Sequence, residues 1–187
     1  MAYLIHNGNY LSRNGSLLTR VAGAGPTPPA YPTDGLLARW AFEDNLEDSY
    51  GSYDLTADGT AAYSTGKVGN CISGSNTWFP YTTNATVCGT FGGTNSFSIS
   101  LWFKGTTITG ELWNAFSTGS NYINLQLNGS GKIEYFAFPG SVKRLVSSSS
   151  SYTDGNWHHI VAIYNGTQAR LVVDNGDFDS TTNSTDS

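Results

Sequence analysis

Apolar and polar residues alternate along this chain in short runs that end in pairs of turn-forming residues. In SFSISLWFKG, Phe97, Ile99, Leu101 and Phe103 fall on one side, with Ser96, Ser98 and Ser100 on the other. That period of two is the pattern of a half-buried antiparallel strand. LLARWAF repeats it with Leu36, Ala38, Trp40 and Phe42. Residues 122–127 and 132–138 are apolar-rich runs joined through Asn128-Gly-Ser-Gly131, and residues 157–164 and 168–174 are joined through Asn165-Gly166. Both are hairpin signals. Residues 111–116 (ELWNAF) read as a further short strand, and no segment keeps a helical period for ten residues. Many short strands at this spacing predict an all-β antiparallel sandwich or jelly roll.

The second hairpin carries two adjacent histidines, His158 and His159. Neighbouring strand residues point to opposite faces, so the pair cannot converge on one metal ion. With a two-residue turn, His158 shares a face with Ile160, Ala162, Ala169, Leu171 and Val173. With a turn one residue longer, Trp157, Val161, Ile163, Ala169, Leu171 and Val173 join His159, and His158 lies opposite Asp174. Either way one histidine packs and the other sits outside, and no third residue is placed by the sequence to orient a base.

Composition narrows the partners. Only 12% of the 187 residues are charged, well below the usual quarter, and the net charge is −5 with no Lys/Arg cluster. Nucleic acid and anionic membrane are therefore excluded as expected partners, and polar uncharged ones fit better. The 39% hydrophobic content supports one domain with a sizeable core. Cys71 and Cys88 form either one bridge or two thiols. The N-terminus shows no charged-then-apolar leader and no run long enough for a membrane span, which predicts synthesis in a cytoplasm.

Residues 1–22 contain a seven-residue repeat: Tyr3-Leu4-Ile5-His6-Asn7-Gly8 is followed by Tyr10-Leu11-Ser12-Arg13-Asn14-Gly15. Each unit ends in Asn-Gly, which disfavours a heptad helix and favours short extended pieces. Such a segment cannot bury its apolar residues alone. Tyr3, Leu4, Tyr10 and Leu11 are thus expected to dock on a protein partner or a second copy, and a homo-oligomer follows. Residues 23–33 (GAGPTPPAYPT) read as a semi-stiff spacer, and the main domain covers 34–187.

Within that domain four pieces occur in a telling order: DGLLARWAFEDN, GKVGNCISGSN, SFSISLWFKG and DGNWHHIVAIYNGTQARLVVDNG. Together they resemble the laminin-G-like group of jelly rolls, the concanavalin A-like sandwich shared with pentraxins and many carbohydrate-binding modules. The resemblance implies a further closing strand pair after the last hairpin, so the domain reads as C-terminally incomplete, with FDSTTNSTDS able to supply part of one strand.

Three chemistries follow from the resemblance and the residues. Sugar hydrolases of this fold place two carboxylates about 5 Å apart on one strand, but Glu43 and Asp44 are adjacent and diverge. No catalytic residue is therefore expected, and the chain reads as a non-enzyme. Calcium is a second reading, with Asp44 and Asp48 as oxygen ligands in a rim turn, against a solvated acidic turn that caps a strand. Third, sugar recognition needs aromatic faces beside hydrogen-bonding groups. Trp78 and Tyr81 in a turn-rich stretch, Trp113 beside Asn114, and Tyr122 beside Asn121 and Asn124 are the candidates. The sequence thus predicts a non-catalytic adhesion module for a cell-surface glycan. Its N-terminal segment suggests carriage on a larger particle, such as a bacteriophage virion, which would place it on a virion or outside cells. A purely structural, oligomer-forming jelly roll and a glycoside hydrolase are the alternatives.

Overall fold

In β-branched and aromatic runs the side chains alternate across the pleat, and that alternation fixes which residues form the core. The computed structural model describes residues 33–74, 80–91, 95–107, 109–116, 122–138 and 144–179, with the side chains of 116, 138, 144 and 177–179 excepted. The docking segment 1–22, with Tyr3, Leu4, Tyr10 and Leu11, all but the last residue of the spacer, and Trp78 lie outside the described residues.

In chain order, the short strands β1 (Thr56–Ala57), β2 (Tyr63–Thr65), β3 (Asn70–Ile72) and β4 (Pro80–Tyr81) lead through a one-turn-and-a-half helix α1 (Ala85–Thr90) to the long strands. These are β5 (Phe97–Lys104), β6 (Gly110–Phe116), β7 (Tyr122–Leu127), β8 (Lys132–Phe138), β9 (Arg144–Ser151), β10 (Trp157–Tyr164), β11 (Ala169–Val173) and β12 (Gly176–Asp179). Two four-stranded antiparallel sheets result, ordered β12-β11-β10-β5 and β6-β7-β8-β9, beside two small ladders, β1-β4 and β2-β3. The large sheets face each other, with β11 crossing over β8 and β9. The described part is a nearly all-β sandwich, as the alternation predicts. No helix among the described residues is long and apolar enough to cross a membrane.

The core lies between the sheets. Ile99, Leu101 and Phe103 of β5, Ile160, Ala162 and Tyr164 of β10, and Leu171 and Val173 of β11 meet Ile123 and Leu125 of β7, Ile133, Tyr135 and Ala137 of β8, and Val146 of β9 in one buried cluster. Each fully buried Val, Leu, Ile or Phe among them contributes about 1.5–3 kcal/mol on leaving water.

The β10–β11 turn settles the histidines. Tyr164 pairs with Ala169, so the loop is Asn165-Gly166-Thr167-Gln168. Asn165 Oδ1 organises it by accepting from the backbone N of Thr167 (3.0 Å) and of Gln168 (2.8 Å). Four residues keep the parity of the two-residue alternative, so His158 falls on the core side with Ile160 and Ala162, and His159 stands on the outer face. Asp174 and Asn175 then take left-handed backbone angles (φ 48° and 70°), a two-residue hairpin turn of the type that Asn and Asp tolerate. The chain returns along β11 as β12.

One expectation needs correction. Residues 36–42 keep their alternation, with Ala38, Trp40 and Phe42 buried, but they form no ladder beyond a single bridge between Trp40 and Asp48. The backbone of Arg39 bonds instead to a turn, its N–H to Asp48 Oδ1 (2.8 Å) and its carbonyl to the N–H of Ser49 (2.8 Å). Helix α1 is also additional to the strand pattern. Asn84 starts it, its side-chain oxygen accepting from Thr86 N at 2.9 Å and Val87 N at 3.4 Å, an N-cap whose local signal is weak when only six residues follow.

Candidate functional site

The acidic turn is built for structure. Asp48 is buried (8% exposed). Its Oδ1 accepts from the backbone N of Arg39 (2.8 Å) and Tyr50 (3.0 Å), and its Oδ2 from Tyr53 N (3.2 Å). Burial pushes its carboxyl up, and the backbone N–H groups of Arg39, Gly51, Tyr50 and Tyr53 outweigh it, holding the group below its usual range. Asp44 serves a different partner, accepting from Asn70 Nδ2 at 2.9 Å, while Glu43 accepts from Asn70 N at 2.9 Å. The two carboxylates offered by the sequence as calcium ligands make separate hydrogen bonds. Among the described residues no group of three or more His, Cys, Asp or Glu is placed to hold a metal ion. Cys71, buried, and Cys88 are thiols, with Ser64 Oγ at 3.4 Å and Thr82 O at 3.7 Å as their respective neighbours.

The grip of Glu43 on the β2–β3 turn depends on Gly69, which has φ +58° and lies directly under the Glu43 carboxylate. Gly69→Ala is expected to lower the melting temperature by several degrees. Left-handed backbone costs an L-residue about 1–2 kcal/mol, and the new methyl group would displace Glu43 from Asn70. Thermal melts of the two proteins check this, and an unchanged midpoint would show that the contact contributes nothing.

A second set of polar residues lies on the β6–β9 sheet, on the face turned away from the sandwich interior. Because Ile123 and Leu125 point inward, Tyr122, Asn124 and Gln126 point out; Glu134 and Phe136 of β8 do the same. On β6 a bulge between Glu111 and Trp113 inserts Leu112 into the core, so that Glu111 pairs outward with Gln126 and Asn114 with Asn124. The register therefore sets Glu111, Gln126 and Glu134 in one row across three strands, with the glutamate Cα atoms about 10 Å apart.

Each glutamate is braced by two amides. Glu111 accepts from Asn124 Nδ2 (2.9 Å) and Asn114 Nδ2 (2.6 Å). Glu134 accepts from Gln126 Nε2 (3.1 Å) and Asn128 Nδ2 (2.8 Å). Tyr122 borders this lattice half-exposed. Burial raises its phenol's pKa and the charge of Glu111 adds to that, against an opposing hydrogen bond from Asn124. Phe136, half-exposed, sits next to Asn124 across the β7–β8 pair.

Of the sequence candidates within the described residues, Tyr122 alone is brought to this face. Trp113 pairs with Leu125 on the core side and packs edge-on against Phe91, ring centroids 4.8 Å apart. Tyr81 is exposed (43%) at the β1–β4 ladder. Glu111, Gln126 and Glu134 were not singled out from sequence, and Asn124 only as the neighbour of Tyr122. Their signal is the outward register of NYINLQL and KIEYFAF, which becomes readable once the strand pairing and the β6 bulge are known.

His158 makes a third cluster. Its Nδ1 meets Asp174 Oδ2 at 2.5 Å and its Nε2 meets Asp154 Oδ1 at 2.9 Å. Burial opposes its charge, but hydrogen bonds and attraction from both aspartates outweigh that and raise its pKa. Asp154 is held well below the usual carboxylate range by the Asn156 backbone N–H, with His158 and the Asn156 side chain adding to it. When protonated, the ring donates from both nitrogens and has no lone pair for a proton or a metal. It is a clamp between the 154–156 turn and the end of β11. His159, outside, pairs with Ser100 Oγ (2.9 Å) and lies over Trp102 (5.0 Å between centroids).

Two facing antiparallel sheets with a short-stranded N-terminal cover define a jelly-roll sandwich of the lectin type. Residues 73–187, more than half of the chain, match the laminin-G-type family described as the concanavalin A-like lectin/glucanases superfamily, and the chain belongs to that family. No curated protein matches it. Among solved structures, Domain 4 of AbnA, a GH43 extracellular arabinanase from Geobacillus stearothermophilus, in complex with arabinotriose, is similar with a TM-score of 0.61. Identity is 19%, over 78% of this chain and 74% of that one. Domains LG4-5 of the mouse laminin alpha1 chain are similar with a TM-score of 0.44 and 22% identity over 46% of this chain, spanning 24% of that one. The arabinanase domain shares the fold.

Proposed function

We propose that the protein is a non-catalytic carbohydrate-binding module that presents the outer β6–β9 face to a cell-surface glycan. The observation that carries this reading is the lattice of Glu111, Asn114, Asn124, Gln126 and Glu134 with Tyr122 and Phe136 at its border. Sugars need that combination of fixed polar groups and aromatic surface, and the fold family includes carbohydrate binders. A hydrolase reading is disfavoured. Glu43 and Asp44 hold Asn70, and both outward glutamates are tied to amides on separate strands with no closely spaced carboxylate beside them.

The site is shallow, so single sites should bind at about 1 mM and gain strength through multivalency. The repeat in residues 1–22 and the spacer after it support docking on a larger assembly, as a homo-oligomer or on a phage particle. Deleting residues 1–22 should then lower the mass seen in light scattering.

The direct test is Tyr122→Ala on beads carrying neutral oligosaccharides, arabino-oligosaccharides included. Loss of an aromatic contact of roughly 1.5 kcal/mol predicts about tenfold weaker binding at a nearly unchanged melting temperature and with no release of reducing ends. Tyr81→Ala should leave binding unchanged. Unaltered binding by the Tyr122 variant would remove this face from the site. A blank from folded wild-type protein would favour a purely structural domain.

A further inference from the structure

The four amides of the outer face turn their NH2 groups toward the two glutamates: Asn114 and Asn124 toward Glu111, Gln126 and Asn128 toward Glu134. Each amide thereby commits an N–H to a carboxylate, and of the four amide oxygens that of Asn128 accepts from the backbone N of Ser130 (2.9 Å) and Lys132 (3.1 Å). One of these oxygens meets no donor at all: Asn124 is 1% exposed and its Oδ1 has no hydrogen-bond partner. Flipping the amide would set that oxygen against Glu111 Oε1, two acceptors in contact, so the orientation is fixed by the network. A buried acceptor without a donor is costly, and a ligand donor that draws Asn124 outward recovers that cost. The same face carries two carboxylates, with Lys132 as the cation at the β8 end.

Resting on the carbohydrate-binding reading, we propose that this face selects saccharides by what they donate, and takes unacetylated, protonated amino sugars in preference to N-acetylated or carboxylated ones. An ammonium brings three donors, no acceptor and a charge that complements Glu111 and Glu134. Acetylation leaves one N–H and adds a carbonyl, an acceptor set among acceptors. A uronate adds both an unpaired acceptor and a like charge.

The test is isothermal titration of the full chain at pH 6 and physiological salt with four tetrasaccharides of glucosamine, N-acetylglucosamine, galacturonate and a neutral hexose. The expected order is glucosamine at least tenfold tighter than the neutral sugar, the acetylated form equal to or weaker than neutral, and galacturonate undetectable. Glu111→Gln with Glu134→Gln should lower glucosamine affinity about tenfold and neutral affinity no more than twofold. Glu47→Gln with Asp58→Asn, which removes two charges from exposed turns elsewhere, should change neither. Equal affinity for the four sugars overturns the selectivity while leaving the binding function intact. Equal losses in the two double variants also overturn it, because diffuse attraction to a chain of net charge −5 would then explain the preference. If no sugar binds the folded chain, the binding function itself fails and the selectivity falls with it. Melting curves confirm that each variant is folded.

Discussion

Asp48→Ala is expected to destabilise the domain by about 3 kcal/mol or more, a fall in melting temperature of roughly 10 °C. The carboxylate is 8% exposed and accepts from the backbone N–H groups of Arg39, Tyr50 and Tyr53. Truncation leaves these donors without an acceptor and removes the tie that holds residues 36–42, with buried Ala38, Trp40 and Phe42, onto the sandwich. Asp48→Asn is the sharper variant, since it keeps the shape but sets an NH2 against one group of donors. Its loss should be smaller but still measurable. The acid dependence has a definite sign. The folded-state pKa is lowered, so the contribution is present above the unfolded value of about 3.8 and disappears as pH falls through the folded value. Melts between pH 2 and 6 should converge for wild type and variant at the acid end. Identical midpoints at pH 6 would show that the turn does not need this carboxylate.

His158→Gln should cost about 2 kcal/mol near pH 6 and should also alter the pH profile. The imidazole is nearly buried, lies between Asp174 and Asp154, and meets Tyr152 edge-on at 4.9 Å. Its pKa is raised, so its contribution is complete below the unfolded value of about 6.5 and is lost as pH rises through the folded one. Asp154, whose pKa is lowered, adds a contribution that is present above about 3.8 and is lost toward acid. The clamp is therefore fully set from about pH 4 to 6.5 and loosens above that window. Wild-type melting temperature should decline from pH 6 to 9, and the His158→Gln curve should be flatter. Parallel curves would mean that the histidine keeps one charge state whether folded or not.

The strands that sequence made legible are those whose period-two pattern runs for six residues or more between strong turn signals. β7, β8 and β10 match their expected bounds, β5 lies within its expected stretch, and the partner β11 begins one residue late and ends one early. What escaped was set by partners distant in sequence. Residues 36–42 alternate correctly but bond to a carboxylate nine residues on, and only the β6 bulge decides that Glu111 faces outward while Trp113 turns to Phe91. The candidate site was legible in one residue, Tyr122. An amide beside an aromatic is common in an Asn-rich chain, and only the register across β6, β7 and β8 shows which amides and carboxylates share a surface.

The bulge and the strict alternation on β7 and β8 also separate two jobs that many proteins entangle. Positions 122, 126, 134 and 136 can be randomised together while 123, 125, 133 and 135 keep the interior filled, because odd and even positions never exchange sides without a slip of register. A library built on those four sites would diversify what the surface holds at little risk to folding, and the domain is accordingly a natural scaffold for evolving new specificities.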